Sequence, residues 1–189
     1  MDIDIRKAKD KERGRDTLFR VTNQHQSKLI QIADYKANII ISISTTIISA
    51  IIAITGYTAA ADNLDIFGIK LIIPVIMIIL TCLVALIFAI QAARPKLIQV
   101  KLSENSGRKS SILFFGVIAA YSQHDYLDKM KNLLLSSDEI YEQMTIDLHN
   151  TGVILKRKYN LLVYSYQVLM YGFVLSVVTY VCLLLIGVK

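Results

Sequence analysis

The sequence has no tryptophan, only two prolines and two cysteines, and no charged residue at all over three long stretches. The two cysteines lie far apart and outside any histidine-rich or Cys-x-x-Cys context, so neither a disulfide framework nor a metal site is indicated. The missing charge is the most informative absence. Together with 54% hydrophobic residues and a mean hydropathy of +0.48, it excludes an ordinary soluble globule.

The three charge-free stretches are residues 37–61, 71–93 and 159–188, which contain 25, 23 and 30 residues. A helix of about 20 apolar residues crosses the ~30 Å hydrocarbon core of a bilayer. Helices are expected rather than a barrel, because the backbone in hydrocarbon must satisfy its own hydrogen bonds and no alternating strand pattern is visible. The sequence therefore predicts an integral membrane protein with three transmembrane helices.

The positions of Lys and Arg predict its orientation. Of the 21, nine lie in residues 1–36, ten in 94–158, one in 62–70 and one at the C-terminus. Cytosolic flanks of membrane helices are enriched in cations. The first two segments should therefore be cytosolic and the third external, with the N-terminus inside and the C-terminus outside.

The cytosolic segments carry all of the protein's excess charge, since their 19 cations exceed their 13 acids by the net charge of +6. One interpretation is orientation in the membrane plus attraction to anionic lipid, at about 1 kcal/mol per well-placed cation. The other is capture of an anionic ligand. Charge alone favours the first.

The N-terminal segment is predicted to continue into the first span as one helix. Seven residues recur at steps of three and four, as on one helix face, and neither glycine nor proline interrupts the chain between them and Gly56. This apolar stripe consists of Leu18, Val21, His25, Leu29, Ile32, Tyr35 and Ile39. We expect it to pack against other helices, because it would otherwise face water.

Two capping boxes predict further helices. Ser122 with Asp125, and Ser136 with Glu139, have the Ser-x-x-Asp/Glu spacing in which side chains satisfy free backbone amides, so helices should begin just after each serine. The second of these continues without a proline through the third span. A helix of about 50 residues is therefore expected there.

The second span and the segment after it contain the two prolines. Pro74 is expected in the first turn of the span, where a missing amide hydrogen costs least, and Arg94-Pro95 marks its end. The polar stretch Lys101–Ser111 predicts a loop. Ile112–Tyr121 is apolar but too short to cross, so we expect a buried or interfacial segment.

These observations predict an all-α fold, a polytopic membrane helical bundle whose long helices extend into a cytosolic helical subdomain. The expected organisation is a cytosolic N-terminal helix (1–36), a first transmembrane helix (37–61), an external loop (62–70), a second transmembrane helix (71–93), a cytosolic helical region (94–158) and a third transmembrane helix (159–188).

Residues for catalysis are scarce. His25, His124 and His149 are far apart, and the sequence has no glycine-rich phosphate loop, His-Glu-x-x-His or Gly-x-Ser-x-Gly motif. We therefore expect neither an enzyme nor a bound cofactor or metal.

One candidate site lies where the first helix meets the membrane. Asp34 and Lys36 precede the first charge-free stretch, and Asp34 and Asn38 share a helix face at a spacing of four. In one interpretation Lys36 reaches the headgroups and Asp34 pairs with Arg94 or Lys158. In the other, Asp34 accepts a hydrogen bond from a ligand or latches two helices together.

A second candidate site lies at the mouth of the third span. Asn150, Lys156, Arg157, Lys158 and Tyr159 place an amide, three cations and an aromatic ring close together in sequence. Cations and a ring suit the phosphate and base of a nucleotide. The same cations are also those that the positive-inside rule places before a membrane helix, and spacing alone favours that explanation.

Taken together, the motifs resemble the Pycsar effector transmembrane (PycTM) family of bacterial anti-phage defence, in order over residues 28 to 185. The motifs that carry the resemblance are Ala33-Asp34-x-Lys36-Ala37, Arg94-Pro95, Leu113-Phe114-Phe115-Gly116, Tyr126, Tyr141 and Leu155-x-x-Lys158-Tyr159.

The resemblance implies an effector of the bacterial inner membrane that a cyclic nucleotide activates, cCMP or cUMP in Pycsar systems, and that impairs the membrane so that the infected cell stops growing. The partners it implies are that nucleotide, the lipid bilayer and further copies of the chain, but neither DNA nor RNA. The residues expected to converge at the cytosolic face, as ligand site or as coupling latch, are Asp34, Lys36, Asn38, Arg94, Asn150, Arg157 and Lys158 with Tyr159 beside them.

Two rival functions remain open on the sequence. One is a constitutive small channel or holin-like toxin that needs no nucleotide. The other is a non-catalytic membrane scaffold that recruits a partner. The capped helices within 94–158 favour the effector, because a plain pore does not require them.

Overall fold

The computed structural model describes residues 2–60, 69–94 and 111–187, and these residues form five helices and no strand. The helices are α1 (Asp2–Ala60), α2 (Ile69–Ala93), α3 (Phe115–Ile118), α4 (Gln123–Leu133) and α5 (Ser137–Gly187). The predicted all-α fold is confirmed for these ranges. Most of the expected external loop and nearly all of the expected loop at Lys101–Ser111 lie outside the described residues.

Three of these helices, α1, α2 and α5, are long and apolar enough to cross a membrane by length and composition. The polar threonines within these helices are compatible with a membrane-spanning segment. In α1 the hydroxyls of Thr45, Thr46 and Thr55 each donate a 2.8 Å hydrogen bond to the carbonyl four residues earlier. Because these side chains are satisfied within their own helix, they need no partner from the surroundings.

The chain divides into two compact units. The helical unit comprises Met1–Ile30 and Pro95–Lys156, and the span unit comprises Gln31–Arg94 and Arg157–Lys189. Both α1 and α5 contribute residues to each unit.

The predicted starts of α4 and α5 are confirmed by their capping contacts. Ser122 Oγ accepts a 3.2 Å hydrogen bond from the Asp125 amide, and Ser136 Oγ accepts a longer one, 3.4 Å, from the Glu139 amide. These bonds satisfy amides that the first turn of a helix leaves without intrahelical partners.

The position expected for Pro74 was wrong. Helix α2 begins at Ile69, so Pro74 lies inside the helix rather than in its first turn. Proline has no amide hydrogen, and the ladder of α2 therefore lacks the bond that would reach the carbonyl of residue 70. The helix extends beyond the apolar stretch because Lys70, although charged, is a good helix former.

The core of the span unit is built from small residues on α1, α2 and α5. Five of the seven buried apolar residues that form it are alanines. The cluster consists of Ala33, Ala37, Ile40, Ala85, Ala89, Ala92 and Leu162. Small side chains let helix backbones approach closely, which is how helices associate when lipid offers no hydrophobic driving force.

Polar contacts and a glycine reinforce that close approach. Ser165 Oγ, fully buried on α5, donates a 2.7 Å hydrogen bond to the Ala85 carbonyl on α2. At Gly172 an added Cβ would lie 2.3 Å from the side chain of Thr81 on α2. Only glycine fits at that point of α5 without a shift of Thr81.

The expectation that the apolar stripe of α1 packs against other helices was wrong for most of its residues. Leu18 is 64% exposed, Tyr35 is 68% exposed, and Val21, His25, Ile32 and Ile39 are also exposed. In the span unit α1 instead buries Ala33, Ala37, Ile40 and Ser44. Small residues let α1 approach its neighbours more closely than large ones would. Of the exposed stripe residues only Ile39 lies in the expected transmembrane helix 37–61, where it can face lipid, and nothing in the structure explains the exposure of the others.

In the helical unit, α3, α4 and the start of α5 surround a small core. Phe114, Val117 and Leu133 are buried there, and the Ile112 amide donates a 3.0 Å hydrogen bond to Gln143 Oε1 on α5. The segment 112–121 is thus partly buried, as its composition predicts.

A second contact of the helical unit joins α1 to α5. The rings of Phe19 and Tyr141 stack with centroids 5.6 Å apart, and the guanidinium of Arg15 lies 4.5 Å from the Tyr141 centroid. The Tyr141 hydroxyl donates a 2.8 Å hydrogen bond to Asp16 Oδ1. This bond to a carboxylate raises the pKa of Tyr141, because losing the proton would set two anions side by side.

Candidate functional site

The span unit contains an ion pair between α1 and α5. The Lys158 ammonium donates a hydrogen bond to Asp34 Oδ1. The Lys158 side chain is only 12% exposed, whereas that of Asp34 is 40% exposed. Of the two cations expected to pair with Asp34, the structure places Lys158 there.

The position of the pair is set by the helices that carry it. Asp34 lies between Ala33 and Ala37, both buried in the span-unit core, so its helix face is turned toward that core. On α5 the half-buried ring of Tyr159 packs against the same core. The alanines allow the close approach that lets a lysine on one helix reach a carboxylate on the other.

Among the described residues, no ion pair or side-chain hydrogen bond joins the other residues predicted for this site to the pair. Four of them are exposed, and no ion pair or side-chain hydrogen bond joins them to other described side chains: Lys36, Asn38, Arg94 and Arg157. Asn150 belongs to the helical unit and is half-buried within it. Their convergence on a ligand therefore stays a prediction.

The pair stabilises the contact between α1 and α5. A nearly buried ammonium is costly unless an anion is close, so Asp34 and Lys158 hold α1 and α5 together at this level. Across the part of the chain that the structure describes, no group of three or more His, Cys, Asp or Glu side chains could hold a metal ion.

The helical unit contains a cavity of about 300 Å³ that the sequence did not reveal. It lies among α3, α4 and the first turns of α5. Its lining residues are Ile112, Val117, Tyr121, Lys129, Asn132, Leu133, Glu139 and Gln143. Pockets that bind small molecules have volumes of about 300–1,000 Å³. This cavity reaches the lower end of that range, and polar groups contribute most of its lining surface.

Two lining side chains of the cavity are in contact with each other. Lys129 Nζ donates a 3.0 Å hydrogen bond to Tyr121 Oη and lies 4.5 Å from the centroid of the Tyr121 ring. Lys129, Asn132 and Glu139 are exposed residues, so the cavity is open to solvent. The capping boxes predict the helices that line it, but not which of their side chains meet.

Comparison with known proteins gives one finding, which covers most of the chain. The family model described as PycTM, Pycsar effector protein domain, matches residues 17–186. That range includes residues of both units, the Asp34–Lys158 pair and every residue that lines the cavity. No curated protein and no solved structure gives a match.

Proposed function

Because the chain belongs to the Pycsar effector family, we propose that it is a membrane effector which a cyclic pyrimidine nucleotide activates and which then impairs the bacterial inner membrane. The family match carries this proposal, since it implies a cyclic-nucleotide-regulated anti-phage effector. Three helices of sufficient length and apolarity support the membrane as its target. The infected cell then stops growing before phage matures, as in abortive infection.

The proposed topology places the transmembrane helices at 37–61, 71–93 and 159–188, with the N-terminus in the cytosol and the C-terminus outside. The distribution of Lys and Arg supports it, because 19 of the 21 lie in 1–36 or 94–158. The helical unit is then cytosolic, where a nucleotide made inside the cell can reach it.

We assign the Asp34–Lys158 pair to coupling between ligand binding and the spans. Both α1 and α5 pass from the helical unit into the span unit, and the pair lies within four residues of that boundary on each helix. A ligand shifts such an equilibrium only by binding one state more tightly, and about 5.5 kcal/mol of difference moves a 1:99 population to 99:1. The remaining site candidates of the span unit belong to the same proposed coupling level: Lys36, Asn38, Arg94, Arg157 and Tyr159. Asn150 is kept as a ligand-binding candidate of the helical unit.

The active form is proposed to be a homo-oligomer. Three helices from one chain are too few to enclose a pore, and large apolar residues are exposed along α1, α2 and α5. Those surfaces can contact lipid in one state and neighbouring subunits in another. A protein that stays strictly monomeric in mild detergent, with and without nucleotide, would contradict this part of the proposal.

Expression in bacterial cells tests the function. Cells that produce the chain should grow normally until cCMP or cUMP is supplied by a co-expressed cyclase, and should then lose membrane potential and stop growing. Alanine at Lys158 or Lys36 should abolish the arrest while the protein still inserts in the membrane. Growth arrest by the chain alone would instead support a constitutive channel or toxin, and no response in either condition would support a scaffold.

A further inference from the structure

The cavity of the helical unit has polar groups of both signs at its lining. Lys129 contributes a cation and Glu139 an anion, while Asn132 and Gln143 contribute amides. A purely anionic ligand such as free phosphate would gain nothing from the carboxylate. The lining instead suits a molecule with an anionic end and a hydrogen-bond-donating end.

Lys129 is the group that suits the anionic end. Its ammonium now contacts only the hydroxyl and the ring face of Tyr121 among the described residues, and it lies on an exposed side chain. A cation–π contact at an exposed site is weak, whereas an ammonium bound to a phosphate makes a charge-assisted hydrogen bond. A phosphate can therefore draw Lys129 away from the ring.

The ring of Tyr121 becomes available once Lys129 leaves it. A half-buried aromatic side chain at a cavity wall offers a flat face on which a nucleotide base stacks. The apolar walls made by Ile112, Val117 and Leu133 are compatible with such a base.

Glu139 can distinguish cytosine from uracil. An ionised carboxylate only accepts hydrogen bonds, so it can accept from the exocyclic N4 amino group of cytosine. Uracil has a carbonyl oxygen at that position, and two acceptors facing each other repel. The base that suits this lining is therefore the one that carries an amino group.

From these contacts we infer that the cavity lined by Tyr121, Lys129 and Glu139 is the nucleotide site, and that it takes a cyclic mononucleotide with an amino-bearing pyrimidine, cCMP rather than cUMP. The inference rests on the proposed function, which supplies the ligand class. It adds the location of the site and the choice of base.

Calorimetric titration of the full-length protein in mild detergent tests the location, with cCMP, cUMP, cAMP and cGMP as probes. Lys129→Met should weaken cCMP binding at least about tenfold, the typical loss for a charge-assisted hydrogen bond. Lys131→Met is the matched control, because Lys131 is exposed on the same helix and does not line the cavity. Equal affinities of the two variants would overturn the assigned location.

Glu139→Gln tests the choice of base. Glutamine keeps the shape and the capping-box position, but its amide also donates, so the variant should bind cUMP more tightly and lose at least about tenfold of the preference for cCMP. Asp138→Asn, the neighbouring acidic residue outside the cavity lining, should keep the wild-type preference. Wild-type protein that binds cUMP or a purine nucleotide as tightly as cCMP would overturn the inference.

Nucleotide binding by the wild-type protein and by the variants distinguishes failure of the inferred site from failure of the proposed function. If wild-type protein binds cCMP but the Lys129 and Glu139 variants behave like their controls, the inferred site is wrong and the proposed function stands. If wild-type protein binds none of the four nucleotides, both are wrong.

Discussion

Removing either partner of the Asp34–Lys158 pair should have unequal effects on stability. In Asp34→Asn the Lys158 ammonium, 12% exposed, loses its anion and can recover little hydration. Breaking a fully buried pair in this way costs about 3–5 kcal/mol. Because the Asp34 side chain is 40% exposed and solvent screens the pair, we expect a loss of about 1–3 kcal/mol.

The reverse change should cost less. In Lys158→Met the apolar stem of the side chain is kept, and the carboxylate left behind is exposed enough to be hydrated. We therefore expect a loss below about 1 kcal/mol, the usual value of an exposed ion pair. Combining the two changes removes both charges, so the double variant should be more stable than Asp34→Asn alone.

Thermal unfolding of the purified variants in detergent, followed by the helical circular dichroism signal, measures this order. In chains of this length, each kcal/mol of lost stability typically lowers the unfolding midpoint by about 2–4 °C. Lys156→Met is the control, since Lys156 is an exposed cation two residues before Lys158 on the same helix. Equal lowering of the unfolding midpoint by Asp34→Asn and Lys158→Met, or no difference of either from the control, would refute the predicted asymmetry of the pair.

Two further changes test the packing of each unit. Gly172→Ala should destabilise the protein, because the new Cβ would lie 2.3 Å from Thr81. Gly56→Ala, which would have nothing within 4 Å of its Cβ, should be neutral or stabilising by up to about 1 kcal/mol. Equal unfolding midpoints of the two variants would contradict this packing. In the helical unit Tyr141→Ala should loosen the N-terminal part of α1 more than Tyr141→Phe, which loses only the hydroxyl bond to Asp16. The measurement is hydrogen exchange of the backbone amides around Asp16, which should be faster in Tyr141→Ala than in Tyr141→Phe. Equal exchange in both variants would show that the stacked ring does not stabilise this part of α1.

The sequence predicts the helices of this protein well because their signals are local. The capping serines Ser122 and Ser136 mark the starts of α4 and α5, and the absence of charge marks the helices that can cross a membrane. The start of α2 was misjudged because Lys70 breaks the apolar pattern without breaking the helix.

Contacts between helices were predicted less well. The large residues of the apolar stripe on α1 are mostly exposed, whereas Ala33 and Ala37 are buried, because close approach between helices selects small side chains, which a pattern of large apolar residues does not reveal. Two contacts depend on how the helices are placed around one another. Asp34 pairs with Lys158 and not with Arg94, and Lys129 contacts Tyr121. Spacing along one chain does not contain that information.

The most direct test of the central claim is leakage of a small dye from liposomes that contain the purified full-length protein. We predict intact vesicles without nucleotide, rapid release when cCMP is added, and no release from Lys129→Met, which should not bind, or from Lys158→Ala, which should bind without responding. Release without any nucleotide, or intact vesicles when calorimetry shows cCMP bound to the wild-type protein, would contradict the account.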